Sequence, residues 1–364
     1  MLVVQVVAVV AGVALTLFTL FSALTTIVLP RSESSLLVRA EFVALRRLFL
    51  LVAHERRSFA TRDRILAYYA PVALMLLPGI WVALVLAAFT LIFWGSGLGP
   101  FREAFIASGS SLLTLGFERP SGLPHIALAF VEAGLGLGIV ALLISYLPTF
   151  YSAFSRREML VGMLEARAGD PPAASTWLAR YHVIGMLPQI EAEFAQWEAW
   201  FADIAESHTS NGAIVFFRSP SNARSWVTAA GCILDTASVL ASAVDRPRSP
   251  QAQLLIRTGY LSLRRIAEYY KIDFDPDPRP DDPISVSRRE FELLLVELEA
   301  AGLPVKSDRD QAWRDWAGWR VNYDRALIGL AALVVAPEAR WSSDRRFAVS
   351  RRDVGGRPWR RRSS

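Results

Sequence analysis

Between two long apolar runs lies FREAFIASGSSLLTLGFERP, residues 101–120, in which helix-compatible residues from Arg102 to Leu113 give way to the short run Thr114, Leu115, Gly116, Phe117. The segment is too short to cross a bilayer and too apolar for a plain external loop. A short helix followed by an extended run that re-enters the bilayer is allowed only where its backbone is buried in protein or lines a polar cavity, because lipid satisfies neither N–H nor C=O. That requirement describes a pore loop. In the apolar run that follows, Glu132 is the one carboxylate. A charge at that depth costs on the order of 2.5 to 3.5 kcal/mol, so it must face protein or water and have a partner. Two roles fit it: bracing the short helix by bonding Ser108, Ser110 or Ser111, which we favour, or facing a conduction path that prefers cations.

The elements that must position these groups follow from hydropathy. Of 364 residues 53% are hydrophobic, and they concentrate in the first 155. Leu2–Leu29 holds only Gln5 as a large polar group. It has no basic start and is longer than a signal peptide's apolar core, so we read an anchor. The stretch between Arg64 and Arg102 carries no charge; a membrane helix over about 72–95 is expected, entered through a kink near Pro71 and Pro78. Leu123–Phe154 is interrupted only by His125 and Glu132 and is expected to end near Pro148. Residues 31–64 contain eight Arg against four acids, so this loop is assigned to the cytoplasm, with the N-terminus outside and everything after Arg156 inside. Leu36–Ala53, with Arg39, Arg46 and Arg47, reads either as a helix on the inner membrane surface or as an ordinary cytosolic helix.

The order span, short helix, TLGF, span resembles the two-helix-plus-pore-loop unit of bacterial potassium channels, whose pore reads close to TTxxTLGYGD. Ser111 stands at that family's second Thr, Thr114 at the filter Thr, Leu115 at the variable position, Gly116 at the first filter Gly and Phe117 at the Tyr. The stretch VEAGLGLGIVALLISYLPTFYSAFSRRE is similar to the family's inner helix, and the likeness covers roughly residues 36–270. The resemblance implies a homotetramer in which the carbonyls of Thr114, Leu115, Gly116 and Phe117, with the Thr114 hydroxyl, replace the hydration shell of a permeant potassium ion. It implies that Phe117 packs behind the filter against the short helix. No other cofactor is expected.

The chain departs from that pattern at Glu118, where the second filter Gly would stand, and at Arg119. A non-Gly residue in a left-handed conformation costs roughly 1 to 2 kcal/mol, which affects the outermost ion site. Glu118 offers an acidic ring at the outer mouth, and Arg119 offsets it or pairs with it. The alternative reading is a pore-like membrane scaffold or receptor that does not conduct. Gly134, Gly136 and Gly138 lie inside an apolar span and so are not a dinucleotide loop, which needs a preceding strand. A gating hinge at Gly138 and close helix packing both fit them.

From Ala166 the composition becomes that of a soluble domain, with Gly169–Pro172 as a linker and a capping box at Ser155–Glu158. Ile190, Phe194, Trp197, Phe201 and Ile204 form a helical stripe that reads as core. Trp226–Val244 reads as a buried helix carrying Asp235, and further helices are expected over 250–270, 287–301 and 308–333. Asp273–Pro283 is an acidic, proline-rich loop. The single Cys232 and the scattered His54, His125, His182 and His208 supply no metal set, and no nucleotide loop or catalytic triad spacing is present, so an enzyme is not expected. Residues 340–364 hold nine Arg and two Asp; this tail is expected to be disordered and attracted to anionic lipid rather than nucleic acid.

The sequence therefore specifies an all-α membrane protein of the inner membrane. Its expected parts are an N-terminal transmembrane helix (1–30), a basic cytoplasmic loop (31–65), a potassium-channel-like pore module (66–158), a helical cytoplasmic domain (159–338) and a basic tail (339–364).

Overall fold

A computed structural model describes residues 2–27 and 35–345. Every regular element among them is helical, and the only strand-like pairing is an isolated bridge between Val244 and Val305. Among the described residues three helical stretches are long and apolar enough to cross a membrane. The chain divides into two compact units, residues 1–155 with 210–218, and residues 156–209 with 219–364.

In the first unit α1 (Leu2–Ile27) and α4 (Tyr69–Gly95) pack closely. Glycines permit the approach: a Cβ on Gly12 would lie 2.5 Å from the Ala88 carbonyl, and one on Gly95 2.6 Å from that of Gln5. Trp81 Nε1 donates to Ser22 Oγ at 3.3 Å, satisfying an indole that is otherwise buried among apolar groups. Between them, α2 (Leu36–Val52) is capped by Ser35 and α3 (Phe59–Ala67) by Ser58, each hydroxyl accepting from the N–H three residues on. Leu77, Trp81, Val85, Phe89 and Phe93 of α4 form the core spine. Pro71 sits in the first turn of α4 and Pro78 within the helix.

After Pro100, α5 (Phe101–Leu112) packs on α4, with Glu103 in its first turn, where a negative charge favours the helix dipole. Then α6 (Leu123–Ala168) runs unbroken for 46 residues. It does not end at Pro148. A proline removes one N–H from the ladder, and here the flanking hydrogen bonds outweigh that loss. Ser155–Glu158 consequently lie in mid-helix and form no cap.

The second unit contains α7 (Ala174–Val183), α8 (Ile190–Ser210), α9 (Trp226–Ser242), α10 (Pro250–Tyr269), α11 (Arg288–Ala300), α12 (Arg309–Arg320) and α13 (Asp324–Val334). Helix α9 is central, buried from Trp226 to Leu240, with α7, α10, α12 and α13 against it. The stripe of α8 is core throughout, all five residues being at most 1% exposed. The Ser287–Glu290 capping box opens α11. The expected single helix over 308–333 is two helices, parted at Val321–Tyr323. The break has a cause in the interior: Arg320 donates to both Asp235 oxygens at 2.7 and 2.9 Å and to Asp324 Oδ1 at 2.7 Å, while Tyr323 OH donates to Asp235 at 2.8 Å. Arg320 also bonds the carbonyl of Trp341, whose ring is buried. Residues 340–345 are thus folded onto this unit, and the disorder expected from 340 fails there; the rest of the basic tail lies outside the described residues.

Candidate pore-loop site

Helix α5 stops where its last carbonyls are taken by the turn that follows. The Ser110 carbonyl accepts from Leu115 N–H at 2.8 Å and Gly116 N–H at 3.3 Å, and Thr114 N–H donates to Ser111 O at 3.0 Å. Thr114 and Gly116 both adopt left-handed backbone, with φ of +54° and +71°. Only glycine enters that region without cost, so Gly116 suits its place and Thr114 is strained. With two left-handed residues in three, Thr114–Phe117 is an irregular turn and not the extended run expected.

Ser110 Oγ accepts from Glu118 N–H at 3.0 Å and donates to Glu118 O at 3.3 Å, folding the chain back over the end of α5. Leu113 through Arg119 are exposed on the single chain. Phe117, expected from the resemblance to pack behind the filter, is 65% exposed on the single chain. Among the described residues no ion pair joins Glu118 to Arg119.

The support behind the turn is polar and buried. Glu132, fully buried on α6, accepts from Ser108 Oγ at Oε1 and from Ser111 Oγ at Oε2, both at 2.5 Å. Ser108 Oγ also stands 3.1 Å from the Leu86 carbonyl of α4. One carboxylate thereby joins α5 to α6, with α4 in reach. Of the two roles open for Glu132, this geometry is that of a brace. Ser111 is a brace partner too, its hydroxyl turned to Glu132 and to the carbonyls of Ala107 and Ser108.

Gly136 sits one turn beyond Glu132, pressed against Leu112, whereas Gly134 and Gly138 have nothing within 4 Å of where a Cβ would stand. Outside the turn, His125 lies with Nε2 3.1 Å from Ser96 Oγ and Nδ1 2.9 Å from Ser121 O, joining the start of α6 to the end of α4. Sequence reasoning missed this clasp; the signal was a histidine at the first turn of a span. No group of three His, Cys, Asp or Glu able to hold a metal occurs among the described residues. The chemistry this arrangement offers is backbone carbonyls and hydroxyls presented on a short turn held between two long apolar helices. No protein-family model, curated protein or solved structure matches the chain.

Proposed function

We propose that the protein is a membrane cation channel, potassium-permeant, built as a homotetramer in which four copies of the Thr114–Phe117 turn surround one axis. The observation that carries this reading is the brace: a buried carboxylate on one apolar helix is spent on fixing a short helix whose end projects an exposed turn. Such an expensive group is expected where the position of the turn matters for function. The carbonyls of Thr114, Leu115, Gly116 and Phe117 would then stand in for ion hydration. The first, basic segment and the second unit lie on the cytoplasmic side of the inner membrane in this reading, and the tail meets anionic lipid.

A second reading, a pore-like scaffold without conduction, is favoured by one feature. Glu118 occupies the place of the second filter glycine and its backbone is engaged by Ser110 Oγ. Potassium and sodium flux into liposomes, measured side by side, separates the two. The channel gives flux that Gly116→Ala abolishes with the tetramer intact. Absence of flux in either gradient selects the scaffold, and normal flux in Gly116→Ala removes the filter assignment.

A further inference from the structure

Nine residues from the last of α8 onward, 210–218, fold with the first unit although the rest of α8 and all of α9 belong to the second. They include a 3-10 turn, Gly212–Phe216. Asn211 Oδ1 accepts from the Tyr146 hydroxyl of α6 at 2.8 Å. Ile214, fully buried, packs in one cluster with Phe150 and Ala153. The Phe217 ring stands 5.3 Å from Phe150 and 5.6 Å from Phe154. Phe216 meets Tyr69 of α4 edge-on at 5.3 Å and lies under the Arg46 guanidinium of α2 at 5.9 Å. Arg218 forms an ion pair with Asp63 of α3, both side chains nearly out of solvent. One short segment thus touches four helices, and on α6 it holds the part around Pro148.

We propose that residues 210–218 are a latch by which the second unit controls the stretch 146–154 of α6, and, resting on the channel reading, that this latch gates the pore. The segment enters from α8 and leaves into α9, the central helix of the second unit, so a rearrangement there must either carry the latch with it or pull it out. Engaged, the latch keeps Phe150 against α2–α4. Released, the stretch 146–154 loses its packing against α2–α4 and is tied to the second unit through α6 alone. The aromatic and aliphatic contacts supply the affinity, and the Arg218–Asp63 pair supplies the register, since a partly buried charge left alone is strongly unfavourable.

The test is hydrogen exchange on the full chain in lipid nanodiscs, together with liposome flux. Arg218→Asp is expected to speed exchange at amides 146–154 at least about tenfold while α10 and α11 keep their protection, and the double variant Arg218→Asp with Asp63→Arg is expected to restore the slow rates. Unchanged exchange in Arg218→Asp, or no restoration in the double variant, overturns the latch. Ile214→Ala is the second variant, without any charge change, and must accelerate the same amides. If the parent protein conducts, Arg218→Asp must change the flux rate several-fold and the double variant must return it; accelerated exchange with unaltered flux overturns the gating role. If the parent does not conduct, the channel reading falls and exchange alone still decides the latch.

Discussion

Gly136 lies so close to Leu112 that a Cβ added to it would stand 2.2 Å from the Leu112 carbonyl oxygen. That oxygen belongs to the last residue of α5, at the root of the turn. Any side chain at 136 must push α5 away from α6. Gly136→Ala is expected to destabilise the first unit by about 1 to 3 kcal/mol, the usual effect of overpacking, and, on the proposed channel reading, to abolish flux. Gly134→Ala and Gly138→Ala meet no atom of the same chain and should be neutral by thermal unfolding in detergent.

Glu132 tests the brace. In Glu132→Leu the Ser108 and Ser111 hydroxyls lose an acceptor but keep backbone carbonyls in reach, at Leu86 and Ala107. The loss should fall at the low end of the roughly 1 to 3 kcal/mol for an unsatisfied buried group. Glu132→Gln, which keeps shape and an acceptor, should retain most of the stability. Equal unfolding temperatures for Glu132→Leu and the parent would remove the brace.

Glu118→Gly addresses selectivity. It removes a carboxylate from the exposed end of the turn and frees the backbone for left-handed conformations. On the proposed channel reading the potassium-to-sodium flux ratio should rise in the variant, and an unchanged ratio would show that Glu118 does not discriminate.

Arg320 forms ion pairs with two buried aspartates, Asp235 and Asp324. Arg320→Leu leaves both carboxylates without their counter-charge and is expected to cost about 3 to 5 kcal/mol. The loss should appear in the second unit's exchange protection, α9 above all, with the protection of α1 and α4 intact.

Two groups give pH dependences of opposite sign. Both carboxylate oxygens of Glu41 are buried without a hydrogen-bond partner, and burial pushes its pKa up to about 7. The folded protein binds this proton more tightly than the unfolded chain, so the stability it contributes is present at acid pH and is lost as pH rises from the ordinary carboxylate range through 7. Glu41→Gln should therefore gain in unfolding temperature over the parent between pH 5 and pH 8. His208, fully buried, has its pKa held well below the ordinary value by burial and by the Arg157 guanidinium, which stands 3.3 Å from Nε2. Its contribution is present above pH 6.5 and falls by at most about 1.4 kcal/mol per unit as pH drops below that value. His208→Gln should flatten that acid limb.

The helices were legible wherever composition alone decides them. The apolar runs gave α1, α4 and the start of α6 to within a few residues, and Ser287 with Glu290 marked the start of α11. The choice of Ser108, Ser110 and Ser111 as partners for Glu132 followed from the cost of a bare carboxylate in an apolar span, and two of the three are its partners. What escaped was set by contacts distant in sequence. The break at Val321–Tyr323 depends on Asp235, in another helix. Asn211–Arg218 shows no apolar periodicity of its own, so nothing local announces that it folds with the first unit. Thr114–Phe117 is expected to be extended as a run re-entering the bilayer, but the Leu115 and Gly116 N–H groups, both on Ser110 O, wind it back.

The buried centre at Arg320 has a consequence for synthesis. Arg320 follows Asp235 by 85 residues, so at ordinary elongation rates a nascent chain waits on the order of 4 to 17 s between making the carboxylate and making its counter-ion. Through that interval α9 has α7 and then α10 to pack on, but not yet α12 or α13. The nascent chain therefore carries an apolar face of α9 uncovered until the last helices are made, a stage at which chaperone capture competes with packing.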